Sequence, residues 1–232
     1  MRTKDIIAIL YAVALPIALL CPADGTIVIR RGSFAAAPSW VRSEDFETGA
    51  TTAGWTNVNG PSWSSTETGK SGSYCWSASG GSTYSWISLA DGTYYEIVAR
   101  VKFGNIAASG DNFFSIRTSG DTVVSNVRVV AGTSKMGVYV NGAGVETTDS
   151  VSNNTWYWVR YIWDEDGDAS IEFVTDTGDT VPTFLGSGTK YISRAATAAV
   201  VGRFTIGWNQ GGSQWVDQLI VYNSNIPAGS TP

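Results

Sequence analysis

The stretch Tyr94-Tyr95-Glu96-Ile97-Val98-Ala99-Arg100-Val101-Lys102-Phe103 alternates without a break. Tyr95, Ile97, Ala99, Val101 and Phe103 fall on one face, and Tyr94, Glu96, Val98, Arg100 and Lys102 on the other. A period of two is the pleat of a β-strand, and one apolar face beside a more polar one predicts a half-buried strand of a sandwich. Working outward, strand-like runs recur at 113–117, 123–131, 136–140, 155–163, 169–175, 203–208 and 215–222. Turn chemistry separates them: a loop over 104–112, Ser119-Gly120-Asp121, the hairpin signal Asn141-Gly142, and an acidic tip over 164–168. No helical period and no repeat of 20–50 residues is present, which excludes propellers and solenoids. The expected fold is all-β, an antiparallel β-sandwich (jelly roll) with its first and last strands adjacent.

The N-terminal residues read differently. Arg2 and Lys4 precede an apolar stretch from Ile6 to Leu20, and Ala23-Asp24-Gly25 offers small residues for cleavage. Residues 1–25 therefore form the pattern of a secretory signal peptide, with an uncleaved anchor as the alternative. The stretch is shorter than the roughly 20 apolar residues of a comfortable span, and Pro16 interrupts it. Leu20, which is not small, precedes Cys21 and argues against lipidation. Secretion to the exterior or the cell surface follows, with no membrane insertion once the signal is removed. Residues 26–42 read as a linker with one short strand, 43–226 as the sandwich, and 227–232 as a tail.

Removal of the signal leaves Cys75 as an odd cysteine, so the sandwich does not lean on an internal disulfide. Between Tyr74 and Trp76 it reads as a small hydrophobe on a strand. With 15 Lys and Arg against 20 Asp and Glu, the chain has a net charge of −5 and no basic stripe. Nucleic acid is excluded as a partner, and polyanionic glycans are disfavoured by the same balance.

Two ends of the sandwich carry a resemblance. Ser43-Glu44-Asp45-Phe46-Glu47-Thr48-Gly49, with Gly54-Trp55 behind it, stands at the start, and Trp215-Val216-Asp217 running to Val221-Tyr222 at the close. Asn153-Asn154-Thr155-Trp156-Tyr157 opens a strand after a polar loop, and an acidic turn follows that strand. Over roughly residues 43–226 this pattern resembles the concanavalin A-like lectin/glucanase superfamily, in its laminin G-like branch. The resemblance implies a domain that binds glycans or proteins and only sometimes cuts them.

The chain contains no histidine, which removes Ser-His-Asp and Cys-His catalysis in their usual forms. Glycoside hydrolysis needs only a spaced pair of carboxylates. Glucanases of the superfamily carry theirs as Glu-x-Asp-x-Glu on one strand. Here Asp164, Asp166 and Asp168 share the spacing of two, but Gly167 places them in a turn and no Glu stands at the outer positions. The chain is therefore expected not to be an enzyme.

Calcium is the inorganic partner to consider, since hard cations take carboxylate and carbonyl oxygens. One candidate is the tip Asp164-x-Asp166-Gly167-Asp168, which also reads as a plain hairpin turn. The other pairs Glu44 or Glu47 of the first strand with Asp217 of the last, a place where the resemblance implies a structural calcium.

Ten tryptophans remain the best functional lead. Trp55, Trp156, Trp158 and Trp163 lie in strand-like contexts and read as packing. Trp208-Asn209-Gln210-Gly211-Gly212-Ser213-Gln214-Trp215 reads as a polar loop with a tryptophan at each end, and Tyr84-Ser85-Trp86 as a second candidate. The expected carbohydrate-binding residues are Trp208, Asn209, Gln210, Gln214, Trp215, Tyr84 and Trp86. Rings would stack on a pyranose and amides would bind its hydroxyls. The partner is then a polysaccharide or cell-surface glycan. The alternatives are a structural, adhesion, virion or filament surface protein contacting other proteins, and a glycoside hydrolase lacking the usual motif.

Overall fold

The run from Tyr94 to Phe103 becomes a ten-residue strand bonded along both edges. The computed structural model describes residues 40–67, 72–89, 94–106, 111–207 and 210–222. The signal-like segment, the linker through residue 39, Trp208, Asn209 and the tail lie outside the described residues.

The described residues form fifteen strands and no helix. In chain order they are β1 (Trp40–Glu44), β2 (Trp55–Val58), β3 (Ser62–Ser65), β4 (Cys75–Gly81), β5 (Tyr84–Ser88), β6 (Tyr94–Phe103), β7 (Asp111–Arg117) and β8 (Val123–Val129). They continue as β9 (Lys135–Val140), β10 (Ala143–Ser150), β11 (Trp156–Asp164), β12 (Asp168–Thr175), β13 (Tyr191–Ala195), β14 (Arg203–Ile206) and β15 (Gln210–Tyr222). Two antiparallel sheets result. One runs β13-β12-β11-β6-β15-β4-β3 with β1 added on β15, and the other runs β10-β9-β8-β7-β14-β5-β2. The fold is an all-β sandwich, and its first and last strands pair as expected, from Trp40 opposite Tyr222 to Glu44 opposite Leu219.

One apolar core fills the space between the sheets, and Tyr95, Ile97, Ala99, Val101 and Phe103 all point into it. The other face of β6 departs from expectation. Glu96, Val98, Arg100 and Lys102 are buried too, so this strand is not half-exposed. The cause lies far along the chain. Residues 176–186 fold over the outside of the sheet, where Val181 and Phe184 pack with Val98, Trp158, Ile220 and Tyr222 in a second, smaller core. Trp158 donates its indole N–H to the Gly178 carbonyl, and Glu172 accepts the Leu185 and Gly186 amides at 2.8 Å each. Buried polar groups persist when they are paired, and Arg100 meets Asp176, Asp179 and Asp217 at 2.5, 2.9 and 3.5 Å.

Local chemistry sets the turns. Asn141 and Gly142 both have positive φ, 50° and 80°, which the tight hairpin joining Val140 to Ala143 requires. At the acidic tip, Asp164 accepts the Gly167 amide on its carbonyl and the Asp166 amide on its side chain. Cys75 is fully buried on β4, as a small hydrophobe should be.

A bulge in β15 decides which side chains face outward. Gln218 has a φ of 49°, and the register against β6 slips between Asp217 and Leu219. Before the slip Gln214 and Val216 face the interior; after it Leu219 and Val221 do. Trp215 and Asp217 are thereby turned to the outer face.

Candidate functional site

Antiparallel pairing lines up side chains from five strands on the outside of the eight-stranded sheet. Ser62 stands opposite Ser77, Ser77 opposite Trp215, Trp215 opposite Lys102, and Lys102 opposite Trp156. Residues directly opposite each other in a ladder share a face, so the five form one transverse row. The Lys102 ammonium lies 4.8 Å from the Trp215 ring centre and 5.5 Å from that of Trp156. It also pairs with Glu67 at 2.5 Å. Cation–π attraction and one carboxylate together hold a lysine that is only 4% exposed.

Trp215 is half-buried and its ring packs against Gly104, where an added Cβ would come within 3.0 Å of it. It lines a cavity of about 480 Å³. Ser62, Ser65, Ser77, Ser79, Ser213 and Thr83 line it with hydroxyls, and Asn59 and Glu67 add an amide and a carboxylate. One aromatic ring, an amide, a carboxylate and a bank of hydroxyls match the mixed apolar and polar surface of a sugar. The small polar residues of β3 gave no alternation to read, so β3 escaped sequence reasoning, and β4 was read as a strand only around Cys75.

The expected site residues fare unequally. Trp215 lies at the cavity. Trp208 and Asn209 lie outside the described residues, and of Gln210 the structure describes the backbone, opposite Gly81. The stretch from Gln210 to Gln214 is not the expected loop but the start of β15, bonded to β4, because a ladder can recruit glycines and polar residues that pattern alone leaves out. Gln214 is 1% exposed and faces the interior, so its amide does not reach a surface ligand. Tyr84 and Trp86 sit on β5 with Ser85 and Ile87 buried between and beside them, which turns both rings to the outside of the seven-stranded sheet. Trp215 and Trp86 therefore occupy opposite faces of the sandwich and cannot form one site.

The two acids named for calcium have separate protein partners. Glu47 accepts the amides of Ser73 and Tyr74 at 2.6 and 3.3 Å, with Gly72 leaving room for its carboxylate. Asp217 is fully buried beside Arg100. Glu44 accepts from the Trp55 indole at 2.9 Å, from Thr52 at 2.8 Å and from Arg42. Among the described residues no group of three acidic, His or Cys side chains is placed to hold a metal ion.

No family model matches the sequence, and no curated protein matches it. Solved structures do match in fold. The protein called cellulose induced protein Cip1 superposes with a TM-score of 0.58 at 13% identity, over 81% of this chain and 100% of that one. A carbohydrate esterase of the Shiga toxin-encoding bacteriophage phi24B gives 0.57 at 10%, over 82% and 100%. The exoplasmic/lumenal domain of VIP36, in metal-free form, gives 0.51 at 7%, over 83% and 96%. What these comparisons share with this chain is the fold, an antiparallel β-sandwich.

Proposed function

We propose that the chain is a secreted, non-catalytic carbohydrate-binding module of the concanavalin A-like type, nearest its laminin G-like branch, and that it takes a neutral glycan at the Trp215 cavity. The observation that carries this reading is the placement of the Trp215 ring at the rim of a hydroxyl-lined cavity. A pyranose stacks its C–H face on the ring while Asn59, Glu67 and the serines bind its hydroxyls. Two proteins that share the fold are named for cellulose induction and for carbohydrate ester cleavage, which supports a carbohydrate partner for this one.

Among the described residues Glu67 is the one carboxylate lining the cavity, and Lys102 already claims it. Glycoside hydrolysis needs two, and ester hydrolysis by Ser-His-Asp needs a histidine that the chain lacks. Both considerations favour binding without cleavage. Affinity is modest, because few groups contact the sugar and each polar contact replaces one with water.

A pull-down of the full chain on insoluble neutral polysaccharides, with calcium and with chelator, tests the reading. Retention that Trp215→Ala abolishes, with the thermal midpoint preserved, is the expected result. Retention untouched by Trp215→Ala, or none on any neutral glycan, overturns it.

A further inference from the structure

A second row crosses the outside of the other sheet. Trp86 on β5 stands opposite Thr205 on β14, Thr205 opposite Ser115 on β7, Ser115 opposite Asn126 on β8, and Asn126 opposite Tyr139 on β9. An aromatic ring closes each end, four strand spacings apart, or roughly 19 Å. Each ring backs a guanidinium. The Arg203 guanidinium carbon lies 4.2 Å from the Trp86 ring centre, and that of Arg128 lies 3.4 Å from Tyr139. Tyr139 can lie flat because Gly137 and Gly144 stand beneath it; a Cβ at either position would come within 2.8 and 2.0 Å of the ring.

Between these stacks stands Arg117, directly opposite Arg203. Like charges facing each other across a ladder repel. One carboxylate bridges them: Asp121 reaches Arg117 at 3.0 Å and Arg203 at 3.4 Å, with its side chain 42% exposed. The face as described carries Arg117, Arg128, Lys135 and Arg203 against Asp121 and Glu146. It is positive on a chain whose net charge is −5. The buried Thr205 hydroxyl and the Arg128 Nε have no hydrogen-bond partner there.

We propose that this face binds a uronate-containing polysaccharide, lying across the strands with its carboxylates on Arg128 and Arg203. Three of the four cations are arginines, whose planar fork matches a carboxylate in two hydrogen bonds, and stacking on Trp86 and Tyr139 holds each fork in place. Asn126, half-buried between the stacks, serves the sugar hydroxyls. The local positive surplus reverses what the whole-chain charge suggests about acidic glycans, because carboxylate recognition is decided within a few ångströms and net charge is not.

The experiment is affinity electrophoresis of the full chain through gels containing polygalacturonate, its methyl ester, or dextran sulfate. Retardation by polygalacturonate and not by the ester is expected. Arg128→Ala and Arg203→Gln each weaken it by about tenfold or more, as loss of a charge-assisted pair should. Trp215→Ala leaves it unchanged, which separates this face from the neutral-glycan cavity. Thermal melts confirm that each variant folds, and the milder Arg203→Lys gives an intermediate loss. No retardation by polygalacturonate, equal retardation by dextran sulfate, or insensitivity to both arginine substitutions would overturn the assignment.

Discussion

The Lys102 ammonium stands over the Trp215 ring, 4.8 Å from its centre, while Glu67 holds the same nitrogen from the cavity side at 2.5 Å. The cation is thus shared between a ring and a carboxylate, and the two residues on either side of it are the ones offered to a ligand. Removing Glu67 leaves a buried ammonium with aromatic faces alone.

Glu67→Gln is expected to destabilise the fold. Breaking a fully buried ion pair costs about 3–5 kcal/mol, and about 2 kcal/mol is expected here because the Glu67 side chain is 23% exposed. The double variant Lys102→Met with Glu67→Gln should recover most of that loss. Urea unfolding of the two singles and the double measures the coupling; additivity would refute it.

Glu44 ties the first strand to the opposite sheet. Its carboxylate accepts the indole N–H of Trp55, which lies on β2, and the hydroxyl of Thr52. Glu44→Ala orphans a buried indole and is expected to cost about 2–4 kcal/mol. Glu47→Ala, whose amide partners are exposed or half-exposed to water, should cost about 1 kcal/mol or less. Thermal melts that rank the two in reverse would sink this account.

Gly144→Ala places a methyl group 2.0 Å from the Tyr139 ring. The ring must lift, and with it Arg128, at an expected cost of about 1–3 kcal/mol. Gly60→Ala meets nothing within 4 Å and is strained by its φ of 71° alone, so about 1–2 kcal/mol is expected. Loss of polygalacturonate retention in the first variant and its survival in the second is the informative contrast.

Burial raises the phenol pKa of Tyr161, and burial followed by the charge of Glu96 raises those of Tyr94 and Tyr222. A group whose folded pKa is raised keeps its stabilising contribution below the unfolded value and loses it as pH climbs through the folded one. Stability should therefore be level through neutral pH with respect to these groups and fall above about pH 10. Tyr161→Phe should blunt that alkaline fall in urea melts at pH 8, 10 and 11.

Much of the sandwich was legible because alternation is a local signal. The strand from Tyr94 to Phe103, the Asn141-Gly142 hairpin and the pairing of the two ends are all present as read. What was not legible depends on distant chain. The outer face of β6 around Val98 and Arg100 is buried by residues 176–186, which no window around Arg100 contains. Gly211 and Gly212 read as loop, yet they lie in a strand, between Gln210 and Ser213, which both pair with β4. The outward turn of Trp215 depends on the bulge at Gln218, and the separation of Trp215 from Trp86 depends on which sheet each strand joins. Register makes the two rows, and register cannot be seen in one strand.

The pairing of Trp40 with Tyr222 brings the chain in and out at one corner of the sandwich. Tension applied between those two points acts across the β1–β15 ladder, not along it. Its hydrogen bonds then fail one after another, as a zipper opens, instead of shearing together. Strand β1 is short, and it peels first. As a mechanical element the sandwich yields at low force from this corner while the sheets behind it stay shut.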